Sequence, residues 1–219
     1  MSSENEPKEP IRLEISANFL LSEFNALQSR AMALGNSQSN RVNFLLIIVA
    51  ATLAGVSQVV NVAALQPYFR LVIFGAALGI LLLGLFTLRQ NVEDAAASVI
   101  LFRRAGRIRL WFVEQNPRIA RYVAFEYGDD KPAVDAPFLS SRGGEGVILL
   151  INALAFCLVV GMALPFGGMT ILLSVLVSFV VAWMSQLYYI HKILKRSERR
   201  AADAINFPFE QMREKYEGK

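Results

Sequence analysis

The sequence predicts an all-α polytopic membrane protein, with four transmembrane helices arranged as two hairpins and with helical extensions in the cytoplasm. Composition is the first reason: 54% of the 219 residues are apolar and 18% are charged, less charge than an ordinary soluble domain carries, and mean hydropathy is +0.41. The second reason is where charge is missing. No Asp, Glu, Lys, Arg or His occurs in the 28 residues between Arg41 and Arg70, the 18 between Arg70 and Arg89, or the 45 between Glu145 and His191. A hydrocarbon core about 30 Å thick takes roughly 20 helical residues. The three windows therefore hold one span with a turn, one minimal span, and two spans. The third reason is the placing of the basic residues. Of 22 Lys and Arg, four precede the first span, nine lie in 89–145 and eight follow the last span, leaving only Arg70 elsewhere. Lys and Arg collect on the cytoplasmic side. Both termini and the central segment are expected there, with the protein in the cell (inner) membrane, and an even number of spans agrees.

Residues 1–10 read as a disordered tail, charged and without apolar periodicity. They contain no apolar stretch of a cleavable signal, so the first span is expected to act as its own insertion signal. Residues 11–40 form a cytoplasmic amphipathic helix, with Ile11, Ile15, Phe19, Phe24, Leu27 and Leu34 at near-helical intervals. Gly35-Asn36-Ser37 either breaks this helix or lets it run on into the membrane. Hairpin 1 covers 43–88: a span over 43–64, a turn at Gln66-Pro67-Tyr68-Phe69-Arg70 where proline stops the helix, and a span over 71–88. The segment 89–145 continues as helix to about 116, with Val92, Ala96, Val99, Ile100, Phe102 and Ile108 as one buried stripe. Asn116-Pro117 reads as an N-cap with proline at the first helical position, opening a short helix to about Phe125, and a turn-rich stretch follows. Hairpin 2 covers 147–190: spans over 147–164 and 169–190, a turn at Pro165-Phe166-Gly167-Gly168, and Tyr188-Tyr189 at the interface. Residues 191–219 form a basic cytoplasmic tail whose helix is expected to end at Pro208.

The chemistry that is missing narrows the function. An intramembrane proton relay needs an ionisable group, and the spans carry none of Asp, Glu, Lys, Arg or His. His191 is the single histidine, which suffices neither for a histidine metal site nor for a Ser-His-Asp triad. Cys157 is the single cysteine and reads as a small apolar packing residue. Arg142-Gly143-Gly144-Glu145-Gly146 lacks the spacing of a phosphate loop and is expected to bend the chain into the third span. No enzyme, cofactor, metal site or nucleic-acid partner is expected.

Three features remain. Gly75 and Gly79 form a GxxxG motif in the second span, extended by Gly84. Such a face lets a second helix approach closely where lipid is the solvent, either within the chain or between copies. Thr170, Ser174, Ser178 and Ser185 lie on one face of the fourth span, with Thr52, Ser57, Gln58, Asn61 and Asn152 as polar residues of other spans. The hydroxyls either line a water path in an oligomer or bond back to their own helices. Lys192, Lys195, Arg196, Arg199 and Arg200 share one helical face, and Arg103, Arg104, Arg107 and Arg109 form a second cluster. Such clusters fix topology. They also suit an anionic lipid headgroup or a small anionic signal.

The run FLLSEFNALQSRAMALGNSQSNR leads directly into NFLLIIVAATLAG, followed by a tight hairpin and a cytoplasmic helix. Over about residues 11–115 this layout resembles the SLATT class of small bacterial membrane effectors, which is linked to nucleotide-signalled defence and pore formation. That class has one hairpin, and this chain has a second at 147–190. The short outer turns, substantial cytoplasmic helices, GxxxG face and hydroxyl stripe point to a self-associating pore-forming or membrane-perturbing effector gated from the cytoplasm, and the resemblance implies a pore-forming role as well. The alternative is a membrane anchor or adaptor that recruits a soluble partner through 11–40, 89–145 and 191–219. Membrane lipids and further copies of the chain are the expected partners, with a cytoplasmic protein or an anionic small molecule beside them.

Overall fold

The computed structural model describes residues 9–60, 62–124, 144–163 and 169–217. All elements among them are helical: α1 (Glu9–Val60), a 3-10 turn (Ala63–Tyr68), α2 (Phe69–Gln115), a 3-10 turn (Pro117–Tyr122), α3 (Glu145–Ala163) and α4 (Met169–Glu217). The four α-helices are each long and apolar enough to cross a membrane, which is consistent with a multi-pass membrane protein. At 1.5 Å per residue, the 19 residues of α3 span about 28 Å, close to one hydrocarbon core. The other three have 52, 47 and 49 residues, so each has length to spare beyond one crossing.

Several boundaries differ from the sequence expectation. Of the two outcomes open at Gly35-Asn36-Ser37, the helix takes the second and runs on: α1 extends from Glu9 to Val60. One glycine costs a helix only about 1 kcal/mol, and contacts on either side of it outweigh that. The helix stops at Val60, four residues before the predicted end, and Val62 N–H donates to Val59 C=O at 3.2 Å. Pro67 lies in the 3-10 turn that leads straight into α2, where its missing N–H falls among donors a helix start leaves unpaired. Asn116 caps the second 3-10 turn as expected: its side-chain oxygen accepts from Arg118 N–H at 3.2 Å. That turn ends at Tyr122, short of Phe125. Pro208 does not end α4, which continues to Glu217; proline removes one backbone donor but keeps a helical φ. The disordered tail was expected over 1–10, but residues 9 and 10 open α1; residues 1–8, most of the turn-rich stretch (125–143) and the turn at 165–168 lie outside the described residues.

The chain divides into two compact units. The first comprises residues 1–34 and 97–133. Its core is Leu27 of α1 against Ala105 and Ile108 of α2, flanked by Leu20, Phe24, Leu101 and Phe112. Leu20, Phe24, Leu27 and the buried Ala31 step by four, three and four, which keeps one seam of α1 on its partner. Ile15 and Phe19, part of the same near-helical apolar pattern, lie off this seam and are exposed. Phe19 precedes Leu20 by one residue, so it projects about 100° away from the seam. On α2, Val92, Ala96, Val99 and Ile108 are buried as expected, but Phe102 is exposed and Arg103 takes the inward position four residues after Val99. The Arg109 guanidinium lies over the Phe24 ring at 5.1 Å from its centre, and burial pushes its pKa down from the ordinary value.

The second unit comprises residues 35–96 and 134–219. One polar joint ties α1 to α2. Arg41 forms an ion pair with Asp94 through Nη2 and donates from Nε to Asn91 Oδ1 at 3.2 Å. Gln38 Nε2 donates to Asn91 C=O at 3.1 Å. The fork of Arg41 thus reaches both a carboxylate and an amide. A lysine has a single charged nitrogen and cannot match this. Arg41→Lys and Arg41→Ala are both expected to destabilise, the alanine by roughly 1–2 kcal/mol for a half-buried charged bond, read from detergent unfolding midpoints. An alanine variant as stable as the parent would show the joint to be idle. Close by, Gly144 leads into α3, and a Cβ there would come within 2.9 Å of Val42 Cγ2. Glycine at 144 therefore lets the start of α3 sit directly on α1.

Candidate functional site

Three helices meet at a buried amide pair. Asn152 of α3 is fully buried and Gln186 of α4 nearly so. Asn152 Nδ2 donates to Gln186 Oε1 at 2.9 Å. Gln186 Nε2 donates in turn to Ala182 C=O at 3.1 Å and to Leu149 C=O at 3.5 Å. The two carbonyls fix which end of Gln186 is the NH2, because a carbonyl accepts only from a donor. Gln186 Oε1 must then face Asn152 Nδ2, and Asn152 Oδ1 must point the other way.

There it meets α2 at Gly84. A Cβ added to Gly84 would lie 1.8 Å from Asn152 Oδ1, so this oxygen fills the space a side chain would need. Asn152 Oδ1 has no hydrogen-bond donor among the described residues. Leu88, Ile148 and Leu149 are fully buried beside this junction and exclude water from it. A buried amide pair between helices contributes roughly 0.6–2 kcal/mol in an apolar medium. A shift of either helix along its axis would strand both amides.

Beside the junction, α2 and α4 leave a groove of about 460 Å³. Leu85, Phe86 and Arg89 line it from α2, and Ser185, Gln186 and Tyr189 from α4. Arg89 Nε donates to Glu93 Oε1 at 3.0 Å, one turn further along α2.

The features predicted from sequence are distributed differently. Gly75 and Gly79 are exposed, and nothing lies within 4 Å of a Cβ built on either. Among the described residues no other helix meets a Cβ at either position, whereas Asn152 of α3 meets one at Gly84. Of the hydroxyl stripe, Ser174 donates to Ile171 C=O at 2.8 Å and Ser185 to Ala182 C=O at 2.9 Å. Thr170 is exposed and Ser178 half-buried. Thr52 and Ser57 also bond to their own helix, at 2.7 Å each. Gln58 is exposed, and Asn61 lies outside the described residues. Cys157 is buried, with its thiol 3.4 Å from Val175 C=O.

The basic clusters fall in different units. In the first, Arg103 is buried, Arg107 and Arg109 are half-buried and Arg104 is exposed. In the second, Lys192, Lys195, Arg196, Arg199 and Arg200 are all exposed, while Ile190 and Leu194 turn inward. Among the described residues no group of three or more His, Cys, Asp or Glu comes together to hold a metal ion.

Sequence reasoning singled out Asn152 and Gly84 separately and passed over Gln186. A signal was there. Asn152 and Gln186 are the only amide side chains in the charge-free window between Glu145 and His191, and two buried amides in an apolar medium are each other's natural partners. Comparison of the chain with protein-family models, with curated proteins and with solved structures finds no match.

Proposed function

We propose that the chain crosses the inner membrane four times, as two hairpins with both ends in the cytoplasm, and self-associates into a pore-forming or membrane-perturbing effector controlled from the cytoplasmic side. The observation that carries this reading is the open GxxxG face. The most apolar stretch of α2 is 22% buried within the chain, and that of α1 only 11%. Gly75 and Gly79 stand on the uncovered part with free space over each Cα. Small residues on a lipid-facing surface favour close contact with another helix, and a second copy of the chain supplies one. The self-bonded hydroxyls of Ser174 and Ser185 favour a membrane-perturbing action over a hydroxyl-lined pore, because their donors are already committed.

Gly79→Leu is expected to lower the oligomer mass measured in nanodiscs and to leave the helical content unchanged, because among the described residues nothing lies within 4 Å of a Cβ at that position. Vesicle leakage should fall with it. Protein that stays monomeric and leaves vesicles sealed in the presence of cytosolic nucleotides would rule the effector reading out.

One observation favours the adaptor reading. Ile15 and Phe19, four residues apart on one face of α1 in the first unit, are both well exposed, outside the charge-free windows. Exposed apolar residues that share a face suit a protein partner. Cross-linking in cells from positions 15 and 19 separates the two readings: adducts with the chain itself favour self-association, and adducts with one soluble protein favour recruitment.

A further inference from the structure

We propose that the groove between α2 and α4 is a site for one anionic phospholipid, with an acyl chain between the helices and the phosphate held by Arg89. This rests on the membrane reading above and goes beyond it by naming a ligand and a place.

The groove is built like an amphipath's site. Its volume of about 460 Å³ is within the roughly 300–1,000 Å³ range of small-molecule sites. Leu85 and Phe86 give it apolar walls, and both are more than 40% exposed. The polar side chains deeper in the wall are committed: Ser185 donates to Ala182, and Gln186 bonds Asn152 and Ala182. A soluble nucleotide would find few unused partners there, whereas an acyl chain needs none.

The other end is charged. Arg89 is the first charged residue after the span and remains well exposed. Its bond to Glu93 uses Nε, so the two Nη groups extend beyond the pair. On α4, Ser185, Tyr189, Lys192 and Arg196 step by four, three and four, and so share one face. The face that lines the groove therefore becomes basic within one turn of Tyr189, and both cations are exposed. Basic pockets between membrane helices at the cytoplasmic surface bind anionic headgroups by this arrangement. The wider basic face of α4, otherwise a topology signal, acquires a specific end at the groove mouth.

The test uses the full chain reconstituted in phosphatidylcholine vesicles that contain a small fraction of either phosphatidylglycerol or phosphatidylcholine with a photoreactive acyl chain. Vesicles are floated and irradiated, and labelled peptides are mapped by mass spectrometry. The expected result is labelling at 85–89 and 185–189 that is stronger from phosphatidylglycerol. Arg89→Gln should lower that labelling about fivefold, and Lys192→Gln with Arg196→Gln by a further factor of the same order for each charge removed. Ser185→Phe fills the groove and should reduce labelling there by both lipids, with no change at 172–181. Equal labelling by the two lipids, spread along 172–181 as well, would overturn the site and leave the membrane reading standing. So would a phosphatidylglycerol preference that survives Arg89→Gln. Protein that fails to float with the vesicles overturns the membrane reading, and this site with it.

Discussion

Gly84→Leu is expected to be among the most damaging single substitutions in the second unit, lowering stability by roughly 2–4 kcal/mol. The physical reason is local and geometric. Any side chain at 84 starts 1.8 Å from Asn152 Oδ1. Asn152 is a short side chain, fully buried and held by a 2.9 Å bond to Gln186, so it cannot swing aside without breaking that bond. The cost therefore combines overpacking with the loss of the amide pair. Reversible unfolding in mixed detergent, followed by circular dichroism, measures it. Gly75→Leu is the internal control, because no atom lies within 4 Å of its Cβ; an effect within about 0.5 kcal/mol is expected there. Asn152→Ala combined with Gly84→Ala should cost less than the two single changes added together, by at least about 1 kcal/mol, since the pair that clashes is then absent. Strict additivity would mean that α2 and α3 do not meet at this point.

Removing one amide of the buried pair should be the second large effect. Gln186→Leu takes away the acceptor of the Asn152 NH2, while the Asn152 carbonyl already lacks a donor in the parent. Newly orphaning one buried polar group costs about 1–3 kcal/mol. The double change Asn152→Leu with Gln186→Leu exchanges the pair for apolar contacts and should recover most of the loss, as replacing both partners of a buried bond often does. The two outcomes separate a bond that stabilises from a bond that specifies register. If the double variant is stable but gives several oligomeric species in nanodiscs, the pair serves specificity. If the single variant is as stable as the parent, Asn152 has found another partner and the junction described for it fails.

Most of the helix pattern was legible because it depends on composition alone. The third span was expected over 147–164 and α3 runs from Glu145 to Ala163; the fourth was expected to start at 169, and α4 starts at Met169. The errors share one cause, which is reliance on a single local signal. Pro208 was expected to end the last helix by residue type, yet helix continues through it. Phe102 was placed inside by hydrophobicity, although Val99 and Arg103, four apart, are the residues on the inward face. The GxxxG motif left open whether Gly75 and Gly79 pack within the chain or against a second copy; among the described residues a Cβ on either meets nothing within 4 Å, whereas one on Gly84 meets Asn152 and one on Gly144 meets Val42. Arg41 looked like the edge of a window, whereas it bonds Asp94 and Asn91.

By itself, then, the sequence determined that the chain is helical and that four of its helices are long and apolar enough to cross a membrane. Transfer of a segment out of water depends on its own side chains and its own backbone bonds, and these are fixed by residues within one or two turns of each other. The tertiary structure decided which polar residues are shared between helices. Arg41 finds Asp94 across 53 residues of sequence and Asn152 finds Gln186 across 34. Such pairings depend on the rotation and register of whole helices, set jointly by every contact along them. The same register leaves Gly75 and Gly79 open, closes Gly84 on Asn152, and leaves between α2 and α4 a groove that ends at Arg89.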